Sequence, residues 1–243
     1  MLEIVLMAVA SLNDREGMKS AQRNWKTFSP FPWLGKILGV VVACSGLGFT
    51  HPPHLTVSAP NPATFTTFAE WCFNRNNLPA DTQHTVNVLL QKAETQDCYA
   101  AQDWLSQQTE LLLFRRRISD LRPLASLTNL EELWLYTNHI RDVTPLANLT
   151  HLTKLWLYDN QIEDISPLAS LTNLTLLSLD DNQIRDPTPL THLTNLQVLN
   201  LQANQIVDIR PLEVLKSLTV LNVKENPIEK ERCPLKPRRI CHF

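Results

Sequence analysis

Between residues 118 and 228 the apolar and polar positions follow a 22-residue register that is written five times and begun a sixth. The copies read ISDLRPLASLTNLEELWLYTNH (118–139), IRDVTPLANLTHLTKLWLYDNQ (140–161), IEDISPLASLTNLTLLSLDDNQ (162–183), IRDPTPLTHLTNLQVLNLQANQ (184–205) and IVDIRPLEVLKSLTVLNVKENP (206–227). The columns Ile118 to Ile228, Asp120 to Asp208 and Pro123 to Pro211 never slip out of phase. Each copy carries two local patterns. In Leu133-Trp134-Leu135, and around Leu155, Leu177, Leu199 and Leu221, leucines two apart put alternate side chains on one face of a short strand, so the leucines point inward and the residue between them points out. Farther along, a proline just past Thr144, Ser166 or Thr188 has the form of an N-cap followed by proline at the first helical position. It predicts a short helical or 3₁₀ turn that buries Leu146, Leu149, Leu152 and their equivalents. One coil cannot bury its leucines alone, whereas stacked coils share a continuous core.

The segment L-x-x-L-x-L-x-x-N-x-I matches the leucine-rich repeat pattern. It resembles the short repeats of the internalin-like family of bacterial surface proteins, over about half the chain. The resemblance implies an α/β solenoid with a parallel sheet on its concave side, 3₁₀ or short-helix turns on its convex side, and a small helical N-terminal cap. The solenoid is expected over 111–228, with five full repeats from 118. The resemblance also implies that the amides of Asn138, Asn160, Asn182, Asn204 and Asn226 turn inward to bond the backbone of neighbouring coils. Arg116 stands where the first such asparagine belongs, as befits an atypical terminal repeat, and leaves that contact open.

The flanks follow other patterns. Met18 makes a better start than Met1: Lys19, Arg23, Lys26 and Lys36 then precede an apolar run, Ile37 to Phe49, in the order of a signal peptide. That run is too short for the roughly 20 residues needed to span a bilayer. Residues 1–49 are therefore expected to be a signal segment, with an uncleaved anchor as the alternative. Val41-Val42-Ala43-Cys44 resembles a lipobox that would leave a lipidated Cys44, and cleavage near Val57-Ser58-Ala59 is equally open. Residues 50–64, with Pro52, Pro53, Pro60 and Pro62, form a stiff linker by composition. Over 65–110, Phe65, Phe68, Trp71 and Cys72 keep helical spacing, as do Val86, Leu89, Leu90 and Ala93 in a helix opened by Pro79, and Tyr99 to Leu105 suggest a third helix. This unit is expected to cover the first coil.

The cysteines partition by position. Cys72 and Cys98 lie in the cap, Cys233 and Cys241 in a terminal segment over 229–243, and Cys44 in the apolar run. Two local disulfides belong to an oxidising compartment and agree with export to a periplasmic, cell-surface or secreted location. A zinc site on Cys233, Cys241 and His242 is the alternative and lacks a fourth ligand.

Net charge of −2 gives no reason to expect nucleic acid, and the basic runs Arg115-Arg116-Arg117 and Lys236, Arg238 and Arg239 read as solvated cap surface. All five glycines lie before residue 49, so the repeats hold no phosphate loop, dinucleotide fingerprint or G-x-S-x-G elbow. The histidines are scattered. No enzyme activity, cofactor or metal is expected.

Binding is better supported. The outward column between the leucines runs Leu112, Trp134, Trp156, Ser178, Asn200, Asn222; the column after the second leucine runs Phe114, Tyr136, Tyr158, Asp180, Gln202, Lys224. With strands roughly 4.8 Å apart, the aromatic residues become neighbours in one half of the face. Phe114, Trp134, Tyr136, Trp156, Tyr158 and Asp180 are the candidate ligand-binding residues of a non-catalytic, monomeric module for a protein partner. A carbohydrate-binding surface protein and a structural envelope protein with no dedicated ligand are the alternatives. Asp159, Asp180 and Asp181 border the patch, placed to orient a basic group, to hold calcium or simply to keep the surface soluble.

Overall fold

The computed structural model describes residues 64–229 and 232–243. The expected signal or anchor segment, Cys44 and residues 50–63 of the linker lie outside the described residues. Seven strands form one parallel sheet in strict chain order: β1 (Glu110–Leu112), β2 (Glu132–Trp134), β3 (Lys154–Trp156), β4 (Leu176–Ser178), β5 (Val198–Asn200), β6 (Val220–Asn222) and β7 (Cys241–His242). From β1 to β6 the register pairs Leu111, Leu133, Leu155, Leu177, Leu199 and Leu221 across the sheet, one repeat per strand. These leucines are buried, and with the isoleucine column and the convex-side leucines they form one continuous core.

Each strand ends in a turn whose middle residue adopts a left-handed backbone. Arg115, Thr137, Asp159, Asp181, Ala203 and Glu225 take φ between 52° and 57°. This conformation costs a residue with a Cβ roughly 1–2 kcal/mol. It is held by the ladder itself, because the turn N–H groups of Thr137 and Asp159 each donate at 3.0 Å to a carbonyl on the next coil.

One residue further on, the asparagines face inward as the resemblance implied. The Asn160 amide donates to the carbonyls of Leu135 at 3.1 Å, Leu157 at 2.9 Å and Tyr158 at 3.3 Å. Its Oδ1 accepts from Ile140 N at 3.0 Å. Asn138, Asn182, Asn204 and Asn226 repeat this pattern. Although Arg116 lacks the amide, its backbone N–H is closed by Asn138 Oδ1 at 3.0 Å, so the ladder reaches the first coil.

The convex turns correct one expectation. Thr144, Ser166 and Thr188 are not the capping side chains: they occupy the first position of the 3₁₀ turns Thr144–Asn148, Ser166–Ser170 and Thr188–His192, with proline second and no side-chain cap from the preceding residue. The acceptor is the in-phase aspartate two residues earlier. Asp142, Asp164 and Asp186 take the N–H of Thr144, Ser166 and Thr188 at 2.8–2.9 Å, and Asp120 and Asp208 do the same for Arg122 and Arg210. A carboxylate at that offset closes an Asx-type turn, which a hydroxyl one residue before the proline does not.

The N-terminal cap comprises α1 (Phe68–Phe73), α2 (Ala80–Lys92) and α3 (Cys98–Ser106). A Thr67–Glu70 capping box opens α1, and Asp97 Oδ1 opens α3 by accepting from Tyr99 N and Ala100 N. Phe68, Leu89, Leu90 and Leu105 are buried in the same core as Leu111 and Leu113 of the first coil. A polar seam ties cap to solenoid: Thr82 Oγ1 and the Arg122 guanidinium both donate to Asp120, and Arg122 lies over the Trp71 ring at 5.5 Å. Burial alone would push the Asp120 carboxyl up, but these bonds outweigh it and hold it below the ordinary range.

Cys72–Cys98 and Cys233–Cys241 are disulfides. The second removes the thiolates that the zinc alternative required. It also fixes β7, a strand no repeat announced, which pairs with β6 and accepts from Val223 N at the His242 carbonyl. Among the described residues, no helix is long and apolar enough to cross a membrane.

Candidate functional site: the concave aromatic face

The side chains that alternate with the buried leucines all emerge on the strand face, and there the rings meet. Trp134 and Trp156, paired in the sheet register, stack with centroids 3.8 Å apart and planes 19° from parallel. Beside them Phe114, Tyr136 and Tyr158 form a second stack, at 4.7 Å and 4.4 Å, with planes within 8° of parallel. An edge contact of 6.3 Å between Trp134 and Tyr136 joins the two columns. The five rings are half-buried rather than sunk in the core. The strand spacing, slightly wider than the thickness of an aromatic ring, makes this stacking available wherever one repeat copies the aromatic residue of the last. Consequently the inner ring faces are spent on one another, and only the faces at the ends of each stack have no ring against them.

Period-two alternation counted backward from the leucine adds a third outward column that the two-column reading missed: Glu110, Glu132, Lys154, Leu176, Val198, Val220. Beside the aromatic half it is charged, with Lys154 Nζ 2.7 Å from Glu132. Beside the polar half it is aliphatic and half-buried.

Both ring columns stop at β4. In register, Trp156 is followed by Ser178, and two residues along, Tyr158 is followed by Asp180. The Ser178 hydroxyl donates to Asp180 Oδ1. Burial, together with the neighbouring carboxylates of Asp181 and Asp159, pushes Asp180 up to about 6 despite that bond. Burial likewise raises the Tyr158 phenol, helped by Tyr136 and Asp180, and raises Tyr136. The contrast with Asp120 is informative: that half-buried carboxylate has a guanidinium, whereas none of the four ion pairs among the described residues involves Asp180. A second local cost lies at Trp134, whose Nε1–H is buried without an acceptor.

Because the folded chain binds the Asp180 proton more tightly than an unfolded chain does, the carboxylate opposes folding above about pH 6. That penalty fades as pH falls through 6 toward 4. Asp180→Asn retains an acceptor for Ser178 and removes the charge. It is expected to stabilise the protein at pH 7.5 by about 2 kcal/mol, roughly 4–8 °C in Tm, and to lose most of that gain at pH 4. Thermal melts at the two pH values check this; a variant no more stable than the parent at pH 7.5 would show that the carboxylate is already compensated.

Among the described residues, no group of three or more His, Cys, Asp or Glu is arranged to hold a metal, so the calcium alternative for Asp159, Asp180 and Asp181 finds no cage.

The family described as leucine-rich repeats in two copies matches residues 109–148, 150–192 and 194–232. An internalin (inlF) from Listeria monocytogenes is similar at 44% identity and a TM-score of 0.51 over 52% of this chain, which spans 37% of that protein's length. An internalin C2 from the same organism is similar at 30% identity, with 66% of this chain and 91% of that one covered and a TM-score of 0.47. A leucine-rich repeat protein of Leptospira interrogans is similar at 30% identity over 52% of this chain and 33% of its own, with a TM-score of 0.49. No curated protein matches the sequence.

Proposed function

From the premise that this chain belongs to the leucine-rich repeat family, in its internalin-like branch, we propose that it is an exported, monomeric, non-catalytic module that binds a protein partner through the aromatic half of its concave face. Leucine-rich repeat proteins generally mediate protein–protein interaction, and the internalin-like family is typically non-enzymatic. The observation that carries the finer reading is the double ring stack of Phe114, Tyr136 and Tyr158 beside Trp134 and Trp156. Stacked rings lose little conformational freedom on binding, and tryptophan and tyrosine are favoured interface anchors. Export is supported by two disulfides that staple the two ends of the solenoid.

The stacking also bears on the carbohydrate alternative. Sugar recognition by aromatic rings uses an open ring face, and here the inner faces are covered by other rings at 3.8–4.7 Å. Ring edges backed by a rigid sheet suit the side chains of a protein surface better.

The test compares capture of partners from a native envelope fraction by the parent chain and by Trp134→Ala/Trp156→Ala, with Asn200→Ala/Lys224→Ala as a control on the polar half. Loss of two anchors of about 2 kcal/mol each is expected to weaken a specific partner by roughly a thousandfold, while the control retains it. Equal retention by both variants would move the site off the aromatic face, and a parent that retains nothing specific would favour the structural envelope reading.

A further inference from the structure

We propose that the step at which both ring columns end, bounded by Trp156, Tyr158, Ser178 and Asp180, is the seat for an arginine side chain presented by the protein partner. The inference rests on the aromatic-face reading above and adds the chemistry of what that face receives.

Trp134 covers one face of Trp156 at 3.8 Å, and Tyr136 covers one face of Tyr158 at 4.4 Å. On the opposite side the sheet register places a serine and an aspartate instead of further rings. The Ser178 side chain is short and tied back to Asp180, so it does not fill the width of an aromatic ring beside Trp156. The following strand continues the column with Asn200. The ladder thus ends in a step, or notch, with the outer indole face of the half-buried Trp156 on one side, the buried Ser178 at its floor and the half-buried Asp180 carboxylate beside it.

Charge then narrows the occupant. Asp180 is half-buried and forms none of the ion pairs among the described residues, and Asp159 and Asp181 add negative potential at the rim. A planar guanidinium is the group that meets both demands. It stacks on an indole face by cation–π attraction, and its fork of N–H donors bonds a carboxylate at the same time. A lysine ammonium satisfies the charge but has no plane to lay on the ring. The seam of the N-terminal cap already uses the same combination, where the Arg122 guanidinium lies over Trp71 while bonding Asp120. At the notch the carboxylate and ring are present and the guanidinium is left to the partner.

The experiment follows the indole 1H–15N signal of Trp156 in the full chain during titration with N-acetyl-arginine amide, with the lysine and citrulline amides as matched probes. Arginine amide is expected to give a saturable shift of Trp156 that exceeds both matched probes. Asp180→Asn is expected to weaken that binding by about 30-fold, as for loss of one partner of a desolvated ion pair. Ser178→Trp, which extends the ring column into the notch, is expected to abolish the shift while the chain still melts cooperatively. A second arm measures a partner captured by the aromatic face against Asp180→Asn. If that partner is lost with Trp134→Ala/Trp156→Ala but binds Asp180→Asn as tightly as the parent, the arginine seat is overturned and the aromatic face stands. Equal, unsaturable shifts with arginine, lysine and citrulline amides would also overturn it.

Discussion

Asn160→Ala is expected to lower stability by about 3–5 kcal/mol, near the top of the range for a single substitution, and Tm by roughly 10 °C or more. The Asn160 side chain is only 9% exposed and satisfies groups on two coils at once: the Leu135 carbonyl and Ile140 N–H of the preceding turn, and the Leu157 and Tyr158 carbonyls of its own. Alanine leaves the buried Ile140 N–H without its acceptor, at about 1–3 kcal/mol, and takes one of two donors from each of the Leu135, Leu157 and Tyr158 carbonyls, at roughly 0.5–1.5 kcal/mol per lost bond. Gln161 next door is the control. Its side chain accepts from Arg141 Nε at 2.9 Å in an exposed bond, and Gln161→Ala is expected to stay within about 0.5 kcal/mol of the parent. Paired denaturant titrations decide the matter; coincident midpoints for the two variants would remove the asparagine ladder from the account of stability.

The second large effect is expected from Cys72→Ser/Cys98→Ser. The bond closes 26 residues of the cap, and the chain-entropy treatment assigns such a loop about 3.5 kcal/mol. The loss falls on α1 and α3, so the variant is expected to expose the Leu111 and Leu113 layer first and to be cleaved by protease within 64–110 before the repeats are touched. Cys233→Ser/Cys241→Ser closes only 8 residues and is expected to cost about 2.5 kcal/mol by the same reckoning. Identical melts with and without reductant would contradict both.

The architecture was legible because it rests on a rule that needs no tertiary context. Leucines two apart at a 22-residue interval can share a core only if the strands lie in register, and Leu133↔Leu155 and Leu155↔Leu177 do. The aromatic columns followed from the same alternation. What stayed hidden depends on distances between side chains. Asp142, Asp164 and Asp186 recur with the leucines, yet their reach to an N–H two residues later emerges only once the turn is built. The outward column of Glu132, Lys154 and Leu176 obeys the same period-two rule that places Trp134, Trp156 and Ser178, two residues earlier in each strand. An acid after the second leucine reads as solvent-facing surface; Asp180 becomes half-buried through the company of Tyr158 and Ser178. β7 had no signal, because it is made by a disulfide-bound tail instead of a repeat.

The asparagine ladder has a direction. Each amide closes the turn of the coil before it: Asn160 serves the turn that follows β2, Asn182 the next, and so on to Asn226, which closes the turn around Ile206. No asparagine follows to serve the turn after β6; there the Ile228 N–H donates to the Asn226 carbonyl at 2.8 Å, and the edge of the sheet is covered by the short strand pinned by sulfur. In this one set of bonds each earlier turn depends on the coil after it, so loosening the carboxy-terminal tail is expected to release the Asn226 contacts first, while backbone bonds such as Gln161 N to the Ile140 carbonyl make later coils depend on earlier ones.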